Sequence, residues 1–213
     1  MTRIKICGFT RASDLELAAR LGVDAVGLVF TPGPRQVKMG RARELVARAR
    51  QANSRSPEVW GVFAREPVEM VNQYVEFLGL DVVQLHGAFY RAEDVEAVKE
   101  APVVRGINFS GTPEDLEEIR RSLDAGCRAV LLDAPATRGV GGTGHTTDWL
   151  AAAEAAARFP VILSGGLSHR NVAEAIRKVR PMMVDASSGL ELAPGIKDPA
   201  LIERFVAAVA TAS

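Results

Sequence analysis

Leu21-Gly22-Val23-Asp24-Ala25-Val26 returns in altered form as Leu78-Gly79-Leu80-Asp81-Val82-Val83, and again as Ala125-Gly126-Cys127-Arg128-Ala129-Val130. Each copy reads alike: a helix ends, glycine turns the chain, one or two residues follow, and an apolar run begins. The stretch is a helix-to-strand join, and its return is a weak internal repeat of βα units. On either side of the three copies, short strand-like runs alternate with helical patterns through all 213 residues. The runs are residues 3–7, 25–30, 59–63, 81–85, 103–107, 129–132, 161–163 and 182–185. Thr112-Pro113-Glu114-Asp115 supplies a helix-capping hydroxyl, a proline for the first turn and acids favoured by the helix dipole; Asp198-Pro199 and Glu66-Pro67 signal two more starts. Eight βα units with no long unstructured segment predict an α/β fold, a single-domain (β/α)8 TIM barrel over residues 1–213. An open doubly wound sheet is the alternative. Against it, the first βα turn, Cys7-Gly8-Phe9-Thr10, lacks the glycine pattern of a dinucleotide site.

Composition narrows the partners. Twenty-six basic residues balance 26 acidic ones, so no overall field attracts nucleic acid or an anionic membrane. The basic stretch 41–55 has an apolar Leu45-Val46 centre and reads as an amphipathic helix with a solvated outer face. No apolar run approaches the roughly 18 residues that cross a bilayer, and no charged-then-apolar leader precedes Arg3, so a cytoplasmic protein is expected.

Strand parity assigns faces. Arg3, Lys5 and Cys7 share one face of the first strand and Ile4 and Ile6 the other; helices cover the outside of a barrel, so the isoleucines go outward. By the same logic Ala129, Leu131 and Asp133 face in while Val130 and Leu132 face out. Gln84 and His86 share a face, and Arg105 and Asp185 are read as inward. Closing the ring makes the first and last strands neighbours, so Lys5 and Asp185 are expected to pair.

Cys7 is the residue with the most chemical content. It ends the first strand and is followed by Gly8, a thiol at the mouth of the sheet where barrels build their sites. Leu163-Ser164-Gly165-Gly166-Leu167 and Asp185-Ala186-Ser187-Ser188-Gly189 follow the last two strands. There glycine lets the backbone approach an anion, and N–H and hydroxyl groups donate to phosphate oxygens. The long glycine-rich loop 134–145 reads as a lid over a bound anion, with Trp149 anchoring the next helix. His86, His145 and His169 lack metal-ligand spacing. His86 is either a site residue or a hydrogen-bonded support, and His169 is read as solvated. Cys127 precedes the sixth strand, at the opposite end from Cys7, so two reduced thiols are expected.

Lys5-Ile6-Cys7-Gly8, Gly61-Val62-Phe63, Val83-Gln84-Leu85-His86-Gly87, Leu131-Leu132-Asp133, Gly141-Gly142-Thr143-Gly144, Asp148-Trp149, Leu163-Ser164-Gly165-Gly166-Leu167 and Val184-Asp185-Ala186-Ser187-Ser188-Gly189-Leu190-Glu191 together resemble the motif set of the phosphoribosylanthranilate isomerase family. The resemblance runs to Gly195-Ile196-Lys197-Asp198, essentially the whole chain. It implies an Amadori rearrangement in tryptophan biosynthesis, with no cofactor and no metal. By the same resemblance Cys7 is the general base, Asp133 the general acid and Arg35 the partner of the anthranilate carboxylate. Gly142, Gly144, Gly165, Gly166, Asp185, Ser187 and Ser188 complete the expected substrate-binding set. The expected partner is a small phosphosugar, without nucleic acid or membrane, and a homodimer is the protein assembly allowed for. Two departures are visible: Thr147 stands where the family commonly has phenylalanine, and Ala64-Arg65 replaces a more usual polar pair.

The residues suit that chemistry in their own right. Opening a furanose needs a proton at the ring oxygen, and removing the C2 proton then gives an enolamine that relaxes to a ketone. Cys7 and Asp133 end strands three steps apart around the ring and stand on opposite walls of the mouth. Asp133 must carry a proton when it acts, and a free thiol, which titrates near about 8.5, is a few per cent thiolate at neutral pH. Two other functions compete. A histidine-pathway isomerase on the same barrel would use carboxylates as both acid and base, and a non-catalytic phosphate binder would need none of Cys7, Asp133 and Arg35.

Overall fold

Eight parallel strands pair edge to edge and close on themselves in a computed structural model that describes residues 1–51, 56–135 and 147–212. In chain order the barrel strands and their helices are β1 (Arg3–Cys7), α1 (Ala12–Arg20), β2 (Ala25–Val29), α2 (Met39–Arg50), β3 (Glu58–Phe63), α3 (Val68–Leu78), β4 (Val82–His86) and α4 (Ala92–Ala97). There follow β5 (Val103–Asn108), α5 (Pro113–Asp124), β6 (Ala129–Asp133), α6 (Trp149–Ala156), β7 (Val161–Leu163), α7 (Val172–Val179) and β8 (Met183–Ala186). A 3-10 turn over Ser188–Leu190 leads into a small hairpin, β9 (Glu191–Ala193) and β10 (Ile196–Lys197), before α8 (Pro199–Ala212). Closure comes from β1 lying parallel to β8 with Lys5 opposite Asp185, as strand parity requires.

The repeat has a structural cause. Gly22, Gly79 and Gly126 take φ of +76°, +62° and +95°, left-handed values open to glycine and strained for other residues. The Asp of the first two copies then caps a neighbouring strand at the barrel's lower end. Asp24 Oδ2 accepts from Ile4 N at 2.9 Å and Asp81 Oδ2 from Val59 N at 2.6 Å. In the third copy Arg128 replaces the acid and ion-pairs with Glu58 at 3.3 Å. Helix starts follow the sequence signals: Thr112 and Asp115 form a reciprocal capping box, and Asp198 Oδ1 accepts from Ala200 N at 2.8 Å. Glu66 has another task, since its carboxylate takes the Thr31 hydroxyl and the amides of Ala64 and Arg65, tying the loops after β2 and β3 together.

Two apolar layers result. Ile4, Ile6, Val130 and Leu132 pack outward under the helices, while Ala25, Trp60, Val104, Leu131, Ile162 and Met183 fill the barrel. Val104 facing inward corrects one reading: Arg105 lies on the outer face of β5, because a one-residue change of parity exchanges the faces of a whole strand. There its guanidinium donates to the carbonyls of Leu85, Gly87 and Tyr90 and pairs with Glu118 of α5 at 3.2 Å. Among the described residues, no helix is long and apolar enough to cross a membrane.

Candidate active site

The upper end of the barrel holds a cavity of about 340 Å³ into which Cys7, Arg35, Gln84, His86, Asp133 and Asp185 converge. It runs into a second space of about 220 Å³ walled by Ser164–Leu167 and Ala186–Ser188. Arg35, Asp133, Ser164, Asp185 and Ser187 line both. Of the expected site, Cys7, Arg35, Asp133, Asp185 and Ser187 therefore meet here with Gly165 and Ser188, and the exposed Gly166 sits on the rim. Gly142 and Gly144, the lid and His145 lie outside the described residues. A larger cavity of about 450 Å³ between α4 and α5 carries Tyr90 and Arg105, but that arginine is already taken up by carbonyls and Glu118.

Room for the thiol is made by the neighbouring strand. Cys7 lies opposite Gly27, where a Cβ would come within 2.8 Å of the Cys7 sulfur. Beneath it Lys5, fully buried, donates to Asp185 Oδ2 at 2.8 Å and stacks its ammonium 5.2 Å from the Trp60 ring. Burial alone would strip Lys5 of its charge, yet the Asp185 carboxylate, joined by Cys7 when it is ionised, outweighs burial and holds the ammonium above its usual range. Burial pulls Asp185 the other way; the 2.8 Å contact is a charge-assisted distance, and we take the pair as ionised. Asp185 Oδ1 and Gln84 Oε1 are buried acceptors without a partner among the described residues, placed to receive hydroxyl protons from a ligand. For Cys7 itself, burial pushes the thiol up, against the opposing pull of Lys5, Lys197 and Arg35. The expectation of a few per cent thiolate is therefore corrected: the resting thiol is held more firmly protonated than a free thiol in water.

Across the mouth, Asp133 is one-third exposed, accepts from Ala134 N at 2.9 Å and stands 3.6 Å from His86 Nε2. Gln84 Nε2 lies 3.2 Å from His86 Nδ1, an arrangement in which the amide donates to Nδ1 when the ring carries its proton on Nε2, towards Asp133. Burial holds His86 below its usual pKa despite Asp133, which keeps the ring neutral. Gly106 again makes room, since a Cβ there would lie 2.3 Å from His86 Nδ1. His86 is thus a residue of the site. His169 is not solvated as read: it is half-buried, with Nδ1 enclosed.

The two loops expected to take the anion are built from close backbone contact. Gly165 has φ +84°, and a Cβ on it would meet Thr147 Oγ1 and the Ala134 amide within 2.6 Å. Thr147, the departure from the family pattern, is buried and donates to the Ser164 carbonyl at 2.9 Å, fastening the start of α6 to the loop after β7. Ser187 Oγ donates to the Cys7 carbonyl at 3.0 Å, linking the β8 loop to the thiol's own backbone. Cys7 and Cys127 are both free, and burial pushes the remote Cys127 thiol up to about 12.

Four participants were not legible as site residues in the sequence. Arg35 is bound bidentately by Glu191 at 2.6 and 2.9 Å, and Glu191 in turn accepts from the buried Lys197 at 2.9 Å. Gly27 and Gly106 emerge only through register, as inward glycines beside Cys7 and His86.

The model of the family "N-(5'-phosphoribosyl)anthranilate (PRA) isomerase" matches residues 4–208. The chain belongs to that isomerase family. A relative from Syntrophus aciditrophicus, named N-(5'-phosphoribosyl)anthranilate isomerase, is 41% identical over 98% of this chain and 87% of its own length. One of the same name from Myxococcus xanthus is 41% identical over 97% and 95%. The crystal structure of the Thermotoga maritima phosphoribosyl anthranilate isomerase superposes with a TM-score of 0.87 at 34% identity, covering 99% of this chain and all of the other. Another isomerase structure, in complex with reduced 1-(o-carboxyphenylamino)-1-deoxyribulose 5-phosphate, matches at a TM-score of 0.83 and 32% identity over 99% and 100%. A further Thermotoga structure is described as monomers generated from a dimeric isomerase.

Proposed function

We propose that this chain, as one catalytic domain over residues 1–213, performs its family's isomerisation. The reaction is the Amadori rearrangement of N-(5'-phosphoribosyl)anthranilate to 1-(2-carboxyphenylamino)-1-deoxyribulose 5-phosphate in tryptophan biosynthesis. The observation that carries the reading is the meeting of Cys7 and Asp133 in one cavity that continues into the Gly165–Gly166 and Ser187–Ser188 loops. Asp133 gives its proton to the ring oxygen and the furanose opens to an iminium. Cys7, as thiolate, takes the proton from C2 and leaves an enolamine. Return of a proton to C1 and loss of the C2 hydroxyl proton give the ketone, so protons balance over the cycle.

The buried positive charges explain how a thiol with a raised pKa can serve as the base. Lys5 beneath and Lys197 and Arg35 above favour the thiolate when it forms, in a site where Coulomb interactions are stronger than in water. Arg35 receives the anthranilate carboxylate, the two glycine-serine loops the phosphate, and Asp185 Oδ1 and Gln84 Oε1 sugar hydroxyls. Carboxylates as both acid and base, the mark of the histidine-pathway alternative, do not fit a thiol lodged at the end of β1. We further assign the protein to the cytoplasm and to a homodimer, the latter tested by light scattering for twice 22.8 kDa.

The test is turnover of freshly made phosphoribosylanthranilate, followed by loss of anthranilate-type fluorescence, with inorganic phosphate as a competitive inhibitor. Phosphate binding without turnover would leave a phosphate-ligand binder in place of the isomerase.

A further inference from the structure

The β9–β10 hairpin adds no strand to the barrel, yet it puts two buried charges beside the cavity. Glu191 and Lys197 face each other across it, their side chains 4% and 0% exposed. Glu191 Oε1 accepts from Arg35 Nε at 2.9 Å, Lys197 Nζ at 2.9 Å and Gly195 N at 3.2 Å, and Oε2 accepts from Arg35 Nη2 at 2.6 Å. A carboxylate held by so many donors has no freedom to swing. The hairpin is fixed from the barrel as well: Lys197 N donates to Asp14 Oδ2 and Lys197 Nζ to the Ser187 carbonyl. Its tip lies against the loop that carries Arg35, since a Cβ on Gly195 would stand 3.1 Å from the Pro34 carbonyl.

The geometry at Arg35 is selective. A guanidinium carries five N–H groups in a planar fork, and Glu191 occupies the edge formed by Nε and Nη2. Nη1 has no hydrogen-bond partner among the described residues, and the side chain, 28% exposed, lines the cavity. Its stem rests over Gly8, where a Cβ would come within 2.7 Å of Arg35 Cδ. Two cations and one carboxylate leave this cluster with one positive charge, enough to match one carboxylate from a ligand.

We propose that Glu191, backed by Lys197, is a positioning residue for substrate selection: it holds Arg35 side-on and leaves the Nη1–Nη2 edge to grip the carboxylate on the substrate's aromatic ring. The inference rests on the reading of Arg35 given above. Fixing a rotamer-rich arginine before binding removes an ordering cost of about 0.5–1.5 kcal/mol from association. The rival role is competition, with Glu191 as a carboxylate the substrate must displace.

The experiment compares phosphoribosylanthranilate with the phosphoribosyl adduct of aniline, which lacks the carboxylate, on the parent, Glu191→Gln, Arg35→Ala and the double variant. Glu191→Gln should raise KM for the anthranilate substrate by roughly 2- to 13-fold with kcat little changed, and raise it far less for the aniline adduct. In the Arg35→Ala background the same change should add almost nothing, because the group it positions is gone. Glu191→Asp, with its shorter reach, should fall between parent and Gln. Equal penalties on both substrates, or a lower KM from loss of a competitor, would overturn the proposal while Arg35→Ala still discriminates between them. An Arg35→Ala penalty equal on both substrates would instead remove the carboxylate reading beneath it.

Discussion

The two ends of this barrel carry similar inward charges and put them to opposite uses. At the lower end Arg3, Glu58 and Arg128 pair at 3.1 and 3.3 Å with side chains 27–35% exposed, and Glu58 also accepts from the Trp60 indole at 3.0 Å. At the upper end Lys5 and Asp185 pair at 2.8 Å with exposures of 0% and 6%, and Asp185 keeps one buried oxygen unpartnered among the described residues. Below, charges satisfy one another and share water; above, they are desolvated and hold donors and acceptors in reserve. The difference separates a plug from a site. Exposed pairs contribute little, whereas a buried charge that loses its partner is heavily penalised.

The sharpest way to break this contrast is at Cys7 and Asp133, the two groups proposed to react. Cys7→Ala and Asp133→Asn should each lower kcat by about 10²- to 10⁴-fold while the substrate still binds, because each removes a proton transfer. Steady-state kinetics with a binding measurement checks this, and a variant within about tenfold of the parent would reassign its role. Next in size is Lys5→Met, which leaves Asp185 buried beside an apolar chain and should lower stability by about 3–5 kcal/mol in urea unfolding. A loss below about 1 kcal/mol would mean that the upper pair resembles the lower ones after all.

The pH dependence sharpens the same contrast. Burial raises the Cys7 pKa above its usual value, so in the free enzyme the thiolate, the form proposed to act as base, is a minor one at neutral pH and grows as pH rises. The ultraviolet absorbance of the thiolate, read as parent minus Cys7→Ala, should therefore still be rising at about pH 8.5, where a free thiol is half ionised. The poorer readout is kcat/KM, because the reaction also needs the Asp133 proton and the gain in thiolate is offset by the loss of acid. A plateau already reached at neutral pH would show that Lys5 and its companions outweigh burial.

Much of this was legible in the sequence because the repeat ties local chemistry to global closure. The glycine of each repeat requires a left-handed turn, and Asp24 and Asp81 cap strands whose amides would otherwise lack partners. Parity placed Lys5, Cys7, Asp133 and Asp185 correctly, since their strands alternate cleanly between polar and apolar residues. It failed at Arg105, where Val103-Val104 are both apolar and the run carries no phase; an arginine can also reach backbone carbonyls on the outer face. Glu191 and Lys197 fell inside motifs of the resemblance but received no role, because their pairing depends on a hairpin with no strong turn pattern, and their burial on its packing against Thr10 and Pro34. The roles of Gly27 and Gly106 depend on register between strands, which one strand read alone does not contain.

The smallest expected effect belongs to the lower end, and it tests whether that end is only a plug. Glu58→Gln keeps an acceptor for the Trp60 indole but ends the ion pairs with Arg3 and Arg128, all partly exposed, so at neutral pH it should cost about 1 kcal/mol or less and leave kcat and KM unchanged. The sign with pH follows from the carboxyl. Burial pushes it up, but the Trp60 N–H and the two arginines outweigh burial and hold it below its usual 4.5. A depressed carboxylate stabilises the fold fully above its unfolded pKa, and that contribution is lost as pH falls through the lower, folded value. Parent and Glu58→Gln should thus differ by a constant amount near neutrality, begin to converge as pH falls below the unfolded value of about 4.3, and meet once pH has passed the lower folded value and the parent carries a proton. Urea unfolding at a series of pH values measures the convergence. A gap that persists at low pH would assign the cost to shape, and a change in kcat would show that the two ends of the barrel are coupled through Trp60, whose ring also lies beneath Lys5.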